Sequence, residues 1–432
     1  MKHEDIVSKL TLAEKCGLLS GKDMWSTRSA PELGIPSIIL SDGPSGVRRQ
    51  LGAGDQLGLN ESEKATCFPS ASTVANSWDE VIAQRVGEAL GREASALGVD
   101  VLLGPGLNVK RSPLCGRNFE YFSEDPYLAG KMAAGYVRGI QSEQVSACPK
   151  HFAVNSQELH RMASDSVLDE RTLREIYLAN FEIAVREGLP KTIMTSYNAV
   201  NGTYANENAH LLTDILRGEW GFDGTVVTDW GGGNDFTEGV RAGCNLEMPG
   251  TADDSTCQLY QAVKSGGISE REVDQRVDEL LNMVLWVSGR KKAIVDFDAQ
   301  NEIAREAAEA SIVLLKNEDN VLPLSKTANV AIMGDFASVP RYQGAGSSQV
   351  NAVKLSNTID AANSIFKGKI SFSRGFTRKD NLNEELANEA AAKAKSADVV
   401  LLYLGLPEVF ESEGLERPHM RIPDNQIKLL EK

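Results

Sequence analysis

Between residues 35 and 290 the chain repeats one pattern: a short apolar, β-branched run that ends in polar or glycine-rich residues, followed by an amphipathic helical stretch. The runs are, in order, "IPSIILSDGPSG", "VDVLLGPGLNV", "VSACPKHFAVN", "KTIMTSYNAVNG", "GTVVTDWGG" and "AGCNLEMPG". The clearest intervening helix is "DERTLREIYLANFEIAVREG", with Leu173, Ile176, Tyr177, Phe181, Ile183 and Ala184 at helical spacing behind an acidic first turn. Continuous apolar strands separated by helices predict a parallel sheet buried on both faces. Repetition of the unit over about 250 residues favours an α/β fold with an N-terminal (β/α)8-type barrel over an open doubly wound sheet.

A barrel gives the polar strand ends a meaning, because the C-terminal ends of its strands form the working face. Asp42, Lys150, His151, Tyr197, Asp229 and Trp230 all fall at such ends. One strand-end aspartate alone reads best as a helix N-cap. The set together reads as a site.

After residue 290 the pattern changes. "EIAREAAEASIVLLKNEDNVLPL" predicts a helix running into an apolar strand and a turn, and "ANVAIMGDFA", "GKISFSRGF" and "ADVVLLYLG" predict further strands, with helical "NEELANEAAAKAKS" before the last. The expected organisation is a barrel over 1–295, a linker over 296–307 and an α/β sandwich domain over 308–432. "IPDNQIKLLEK" opens a helix at Pro423 and Asp424 and stops after about two turns. The sandwich is therefore expected to be incomplete at its C-terminal side.

Charge and cysteine usage narrow the partners. The chain has 60 acidic and 45 basic residues for a net charge of -15, without a dense basic block, which argues against nucleic acid and for a neutral or cationic ligand. No stretch approaches the roughly 20 apolar residues of a membrane span, and the start "MKHEDIVSKLTLAEKCGLLSG" has no apolar core of signal-peptide type. Cys16, Cys67, Cys115, Cys148, Cys244 and Cys257 show no CxxC spacing, so neither a zinc site nor a disulfide framework is suggested. A cytoplasmic protein without metal or cofactor is the resulting expectation.

Carboxylates, a lysine, a histidine, arginines and aromatics, without paired metal ligands, offer acid/base and nucleophilic chemistry. A sugar ring has a CH face that packs on indole and hydroxyls that need charged partners. Trp230 beside Asp229 suits that demand; a rim tryptophan with no ligand role is the equal alternative on this pair alone. Phosphate fits "DWGGGND" poorly, because Asp229 would repel it.

The motifs "SDGPSGVR", "GRNFEYFSEDP", "KHFAVNSQELHR", "TSYNAVNG", "VVTDWGG", "SIVLLKNEDNVLPL", "YQGAGSSQVN" and "ESEGLER" occur in this order. Together they resemble glycoside hydrolase family 3, in its β-glucosidase-like branch, from about residue 9 to the end of the chain. The resemblance implies that a barrel and a sandwich domain share one active site and that hydrolysis retains the anomeric configuration. Asp229 matches the family nucleophile and Trp230 the aromatic wall of the subsite for the terminal sugar. Asp42, Arg48, Arg117, Lys150, His151, Arg161 and Tyr197 match residues that line this subsite. Arg117, Lys150 and Arg161 are expected to lower the pKa of the nucleophile.

The resemblance places the acid/base in "ESEGLER". Glu411 and Glu413 are both candidates, and Glu413 holds the matching position counted back from Arg417, while Glu416 stands where Asp is more usual. Ser347 in "GAGSSQV" belongs to a loop resembling the one that closes over the site; bonding a substrate hydroxyl and capping a helix are both open to it. "KHFAVNSQE" lacks the histidine of the "KHFPGHG" pattern found in members acting on N-acetylglucosaminides.

The expected activity is that of a retaining exo-acting β-glycosidase, above all a β-glucosidase acting on terminal non-reducing β-D-glucosyl residues of oligosaccharides or glucosides. β-Xylosidase or α-arabinofuranosidase activity stays open, because a pentose differs from glucose by one hydroxymethyl group. A non-catalytic carbohydrate-binding remnant is the alternative from another class. A Schiff-base lyase is disfavoured, since Lys150 sits beside His151 in a polar loop. The segment "GAGDQLGLNESEKATCF" at 52–68 is expected to narrow the pocket mouth. An unfinished sandwich would expose strand edges and apolar surface, so the chain is expected to be a fragment or one chain of a longer enzyme, partnered by the missing C-terminal part or by a second copy.

Overall fold

The computed structural model describes residues 1–52, 54–55, 60–251 and 253–432. The segment expected to narrow the pocket mouth, 52–68, lies partly outside the described residues. In the first domain β1 (Leu40–Asp42) pairs with β2 (Val101–Leu103), and β2 with β3 (Ser146–Ala147), all parallel. A second parallel pair joins β4 (Thr192–Met194) to β5 (Thr225–Val227). The Ser146 and Thr192 hydroxyls lie 2.7 Å apart between the two groups. Single parallel bridges, Phe152 to Thr195, Val227 to Leu246 and Ser20 to Glu247, extend the pairing.

Among the described residues these core strands form a three-stranded and a two-stranded sheet with isolated bridges, not one closed eight-stranded ladder; a small separate sheet pairs Asp165–Ser166, Ala199–Val200 and Thr203–Tyr204. Val101, Leu102, Leu103, Ile193, Val226 and Val227 are fully buried, as expected for parallel strands covered on both faces.

Two helices pack unusually closely beside this core. α1 (Glu80–Ala96) is capped by Asp79, which accepts from the Val81 amide at 2.8 Å, and α2 (Pro126–Ser142) has Pro126 in its first turn behind Asp125, which accepts from Tyr127 at 2.9 Å. Gly87 of α1 faces Gly139 of α2, while Gly91 lies against the Ile140 backbone and Gly135 against that of Glu80. A Cβ on Gly139 would meet the Gln84 carbonyl at 2.1 Å, and one on Gly87 the Tyr136 carbonyl at 2.4 Å. The four-residue glycine spacing on both helices lets the backbones touch.

The helical stretch 170–188 begins behind Asp169, which accepts from the Thr172 amide at 2.9 Å. Its turns widen to π geometry over Leu173–Leu178 and Ala184–Gly188. Wider turns rotate the buried face, so Leu178 and Val185 are buried while Ile176, expected in the core, is exposed. α3 (Glu270–Ser288) opens with a reciprocal Ser269 and Glu272 capping box and closes the far side of the core.

The stretch read as a linker, 296–307, lies mostly in α4 (Phe297–Ser311), whose Ala304 and Ala307 are packed into the first domain's core. Beyond it, β6 (Val330–Met333) sits between β7 (Ile370–Ser373) and β8 (Val399–Leu402), again parallel. Alternate residues of β6 serve opposite faces: Ala331 and Met333 pack with Phe376, Ala387, Ala390 and Leu429, and Val330 and Ile332 with Ala328, Ala337 and Ala362. α5 (Glu384–Ala394) and α6 (Asp424–Glu431) supply the first of these layers. The strand expected at "SIVLL" does not form. Ile312 is 77% and Leu315 91% exposed, with no neighbouring strand to pair among the described residues. Also among the described residues, no helix is long and apolar enough to cross a membrane.

The glycine contacts make a stability prediction. Gly139→Ala is expected to cost about 1–3 kcal/mol by forcing the two helix backbones apart, read as a lower urea midpoint. Gly289→Ala, where the nearest atom to a new Cβ is 3.9 Å away, is expected to change stability by less than about 0.5 kcal/mol.

Candidate active site

The strand ends converge as the alternating pattern predicts. Asp42 is the last residue of β1, Lys150 and His151 follow β3, Tyr197 follows β4, and Asp229 and Trp230 follow β5. With Arg117 they line one pocket whose wall is completed by Ser347 and Glu413 from the second domain. Trp25 and Met194 also line it.

Asp229 is 7% exposed. Its Oδ1 accepts from the Trp230 amide at 2.8 Å. Its Oδ2 is buried without a hydrogen-bond donor, with His151 Nε2 the nearest cationic or imidazole nitrogen at 3.5 Å. The cations were expected to depress this carboxyl. Burial outweighs Arg117, Arg161 and Lys150, and the net shift is upward.

Asp42 behaves alike. Arg48 Nη1 is 3.3 Å and Lys150 Nζ 3.7 Å from its carboxylate, yet burial pushes it up to about 6 against the pull of both. His151 is driven the other way, well below its ordinary value, by burial and then by Arg117, Lys150 and Arg161. Its Nδ1 lies 3.3 Å from both Asn108 Oδ1 and the Tyr121 hydroxyl.

Glu413 has different neighbours. Burial alone would raise its carboxyl, but Arg117, Arg161 and the Ser347 hydrogen bonds hold it well below the usual carboxylate range. Arg161 Nη1 donates to Glu413 Oε1 at 2.9 Å, Arg117 Nη1 is 3.5 Å from the same oxygen, and the Ser347 amide donates to Oε2 at 2.8 Å. The other candidate, Glu411, is paired with Arg341 at 3.0 Å and does not line the pocket.

The aromatic wall is double. Trp25 and Trp230 have ring centroids 5.2 Å apart at a 39° tilt. Trp230 Nε1 donates to the Met24 carbonyl at 2.9 Å, and its own carbonyl accepts from the Tyr197 hydroxyl at 3.0 Å. Trp25 Nε1 donates to Gln50 Oε1 at 3.1 Å, so both indole nitrogens are engaged by neighbours and the rings leave surface for an apolar face of a ligand.

Two expected lining residues stand behind the wall. Arg48 bridges Asp42 and Asp55, both at 3.3 Å, and Arg161 reaches the pocket through Glu413 while its guanidinium lies 4.7 Å above the Tyr197 ring. Trp25 was not expected. It precedes the first predicted strand, and the Leu40 amide bonding to its carbonyl at 2.8 Å, with an antiparallel bridge between Ser26 and Ile39, brings it beside β1.

Comparison with known proteins identifies the class. Residues 28–283 match the glycosyl hydrolase family 3 N terminal domain and residues 312–432 its C-terminal domain. The chain belongs to glycosyl hydrolase family 3. It is 48% identical over 431 residues to the thermostable beta-glucosidase B of Acetivibrio thermocellus, a match covering 99% of this chain and 57% of that protein. It is 44% identical over 441 residues to an exo-alpha-(1->6)-L-arabinopyranosidase of Bifidobacterium longum, covering 98% of this chain and 58% of that one.

Solved structures agree. The family 3 beta-glucosidase of Bifidobacterium adolescentis superimposes with a TM-score of 0.92 at 42% identity, over 98% of this chain and 61% of that one. Beta-glucosidase 3B of Thermotoga neapolitana, in complex with alpha-D-glucose, gives 0.89 at 32%, over 100% and 66%. The chain spans about three fifths of the length of these two curated relatives.

The histidine yields a pH prediction. An unfolded chain protonates His near 6.5, whereas His151 in the fold does not. Its contribution to stability is therefore fully present above that pH and is lost as pH falls below it. The expected observation is a His151 ring whose NMR shifts stay those of a neutral imidazole from about pH 7.5 to 5; titration near 6.5 contradicts the described burial.

Proposed function

We propose that the chain carries the active site of a retaining, exo-acting β-glycosidase, best read as a β-glucosidase that removes terminal non-reducing β-D-glucosyl residues. The observation that carries this reading is the Asp229 Oδ2 atom, buried and without a donor in a pocket that also holds Glu413 and is walled by two tryptophans. An acceptor left unpaired in a closed site is costly unless a ligand completes it. The glucose-bound relative and the beta-glucosidase relatives support the choice of sugar.

Retaining hydrolysis then runs in two displacements. Asp229 Oδ2 attacks the anomeric carbon as the bond to the leaving oxygen breaks, and Glu413 delivers a proton to that oxygen. In the second step Glu413 takes a proton from water while the water oxygen replaces Asp229 at the same carbon. Asp42, Lys150 and His151 provide charged and polar partners for ring hydroxyls, whose bonds tighten as the ring flattens. Because Arg117 and Arg161 hold the Glu413 carboxyl below the usual carboxylate range, the first step requires that grip to relax as substrate enters.

We read the two groups of parallel strands and their bridges as one barrel spanning 1–295, joined through 296–307 to an α/β sandwich domain over 308–432. The unpaired cysteines favour a reducing compartment, and we place the protein in the cytoplasm.

A second reading is favoured by the arabinopyranosidase relative. α-L-Arabinopyranose lacks the hydroxymethyl group of glucose and inverts the hydroxyl at C4, so discrimination rests on the walls around those two positions.

A 2-deoxy-2-fluoro glucoside with an activated leaving group is expected to leave a single glycosyl adduct on the peptide containing Asp229, seen by intact mass and peptide mapping. Asp229→Ala is expected to abolish labelling and lower kcat/KM by about 10³-fold or more. Faster turnover of an aryl α-L-arabinopyranoside than of the matched β-D-glucoside selects the second reading. Absence of an adduct with either sugar overturns both.

A further inference from the structure

The loop that carries Glu413 leaves the second domain after β8 and meets the first domain along residues 114–117 and 155–161. It is held there by reciprocal contacts. The Gly414 amide donates to Glu158 Oε2 at 2.7 Å. In return, the Glu158 and Leu159 amides donate to Glu416 Oε1 at 2.5 and 3.2 Å. The Arg417 amide donates to the Leu114 carbonyl at 2.8 Å, and Gly116 packs so tightly that a Cβ there would lie 1.7 Å from the Leu415 carbonyl.

Glu158 is the centre of this arrangement. It is 3% exposed, and the same Oε2 that accepts from Gly414 also accepts from Arg161 at 2.9 Å. Arg161 Nη1 is the nitrogen that bonds Glu413. One carboxylate therefore holds the backbone one residue beyond Glu413 and also shares the cation that grips the Glu413 side chain. Removing it would free the Gly414 amide and leave Arg161 to Glu413 alone. Loss of one member from such a buried network is felt by all the others.

We propose that Glu158 is a positioning residue that registers the Glu413 loop against the first domain and shares Arg161 with Glu413, so that Glu413 sits where the leaving oxygen needs its proton. The proposal rests on Glu413 being the acid/base. Glu158 does not line the pocket and acts through Glu413 and Arg161. Glu416 is its counterpart on the loop, with a side chain long enough to reach two successive amides. An error of about 1 Å in such a group is enough to cost a large factor in rate.

Leaving-group dependence separates this role from a structural one, because a 2,4-dinitrophenolate departs without a proton and a simple alcohol does not. Glu158→Ala is expected to lower kcat for an alkyl β-D-glucoside by about 100-fold, and for the dinitrophenyl glucoside by less than about fivefold in the first, glycosylation step. Glu158→Gln, which still offers an oxygen to Gly414, is expected to recover much of the loss. Glu413→Gln is the reference. If it fails to discriminate between the two leaving groups, the assignment of Glu413 falls; if it discriminates and Glu158→Ala does not, only the positioning role falls.

Amide exchange across 411–417 decides the structural half without turnover. Glu158→Ala is expected to raise it at least tenfold at unchanged far-UV circular dichroism, with partial recovery in Glu158→Gln. Exchange equal to that of the parent protein overturns the proposal.

Discussion

Two arginines of the first domain are divided among three buried carboxylates, and the pocket depends on that division. Arg117 serves Glu120 through Nε and Nη2 at 2.9 and 2.5 Å and approaches Glu413 at 3.5 Å. Arg161 serves Glu158 and Glu413, both at 2.9 Å. Charges taken out of water are tolerated only when each is met by an opposite charge or a full set of hydrogen bonds. Glu413 belongs to the second domain, so the network closes only across the join. The join and the site are one piece of chemistry.

The same burial acts on every acidic group in the pocket, and the neighbours decide which way each one goes. Asp42 and Asp229 are raised because burial exceeds what their cations return. Glu413 is lowered because two guanidiniums and the Ser347 bonds exceed the cost of burial. The pocket thus holds a proton more readily on the aspartate side. In the proposed reaction a sugar ring entering against Trp25 and Trp230 has to rearrange this balance, since attack needs an ionised Asp229 and departure needs a protonated Glu413. Arg161 is the cation placed to mediate, being shared with a carboxylate outside the pocket.

Most of the site was legible in the chain because apolar strands ended on polar residues. Asp42, Lys150, His151, Tyr197, Asp229 and Trp230 all lie at or beyond strand ends and all reach one cavity. Arg48 and Arg161 were legible as charged motif residues, but a motif does not say whether a long side chain points into a cavity or braces its wall. Trp25 was hidden because its place beside β1 comes from a backbone contact with Leu40. The misplaced strand at Ile312 to Leu315 has a similar origin: apolar character suggests a strand, and only a neighbouring strand makes one. Ile176 was misread because a period of 3.6 does not apply where turns widen to π geometry.

The alternation of apolar runs and helices by itself determined an α/β chain with parallel pairing, since strands buried on both faces and separated by helices have few other ways to pack. It also determined the types of side chain delivered to the strand ends. Tertiary structure decided the rest: which of Glu411 and Glu413 enters the pocket, which arginines touch it, and in which direction each carboxyl shifts. These depend on distances of a few ångström between residues far apart in the chain. Such distances are set by close contacts such as the α1 and α2 glycines and the Gly116 to Leu415 approach, whose geometry no local pattern encodes.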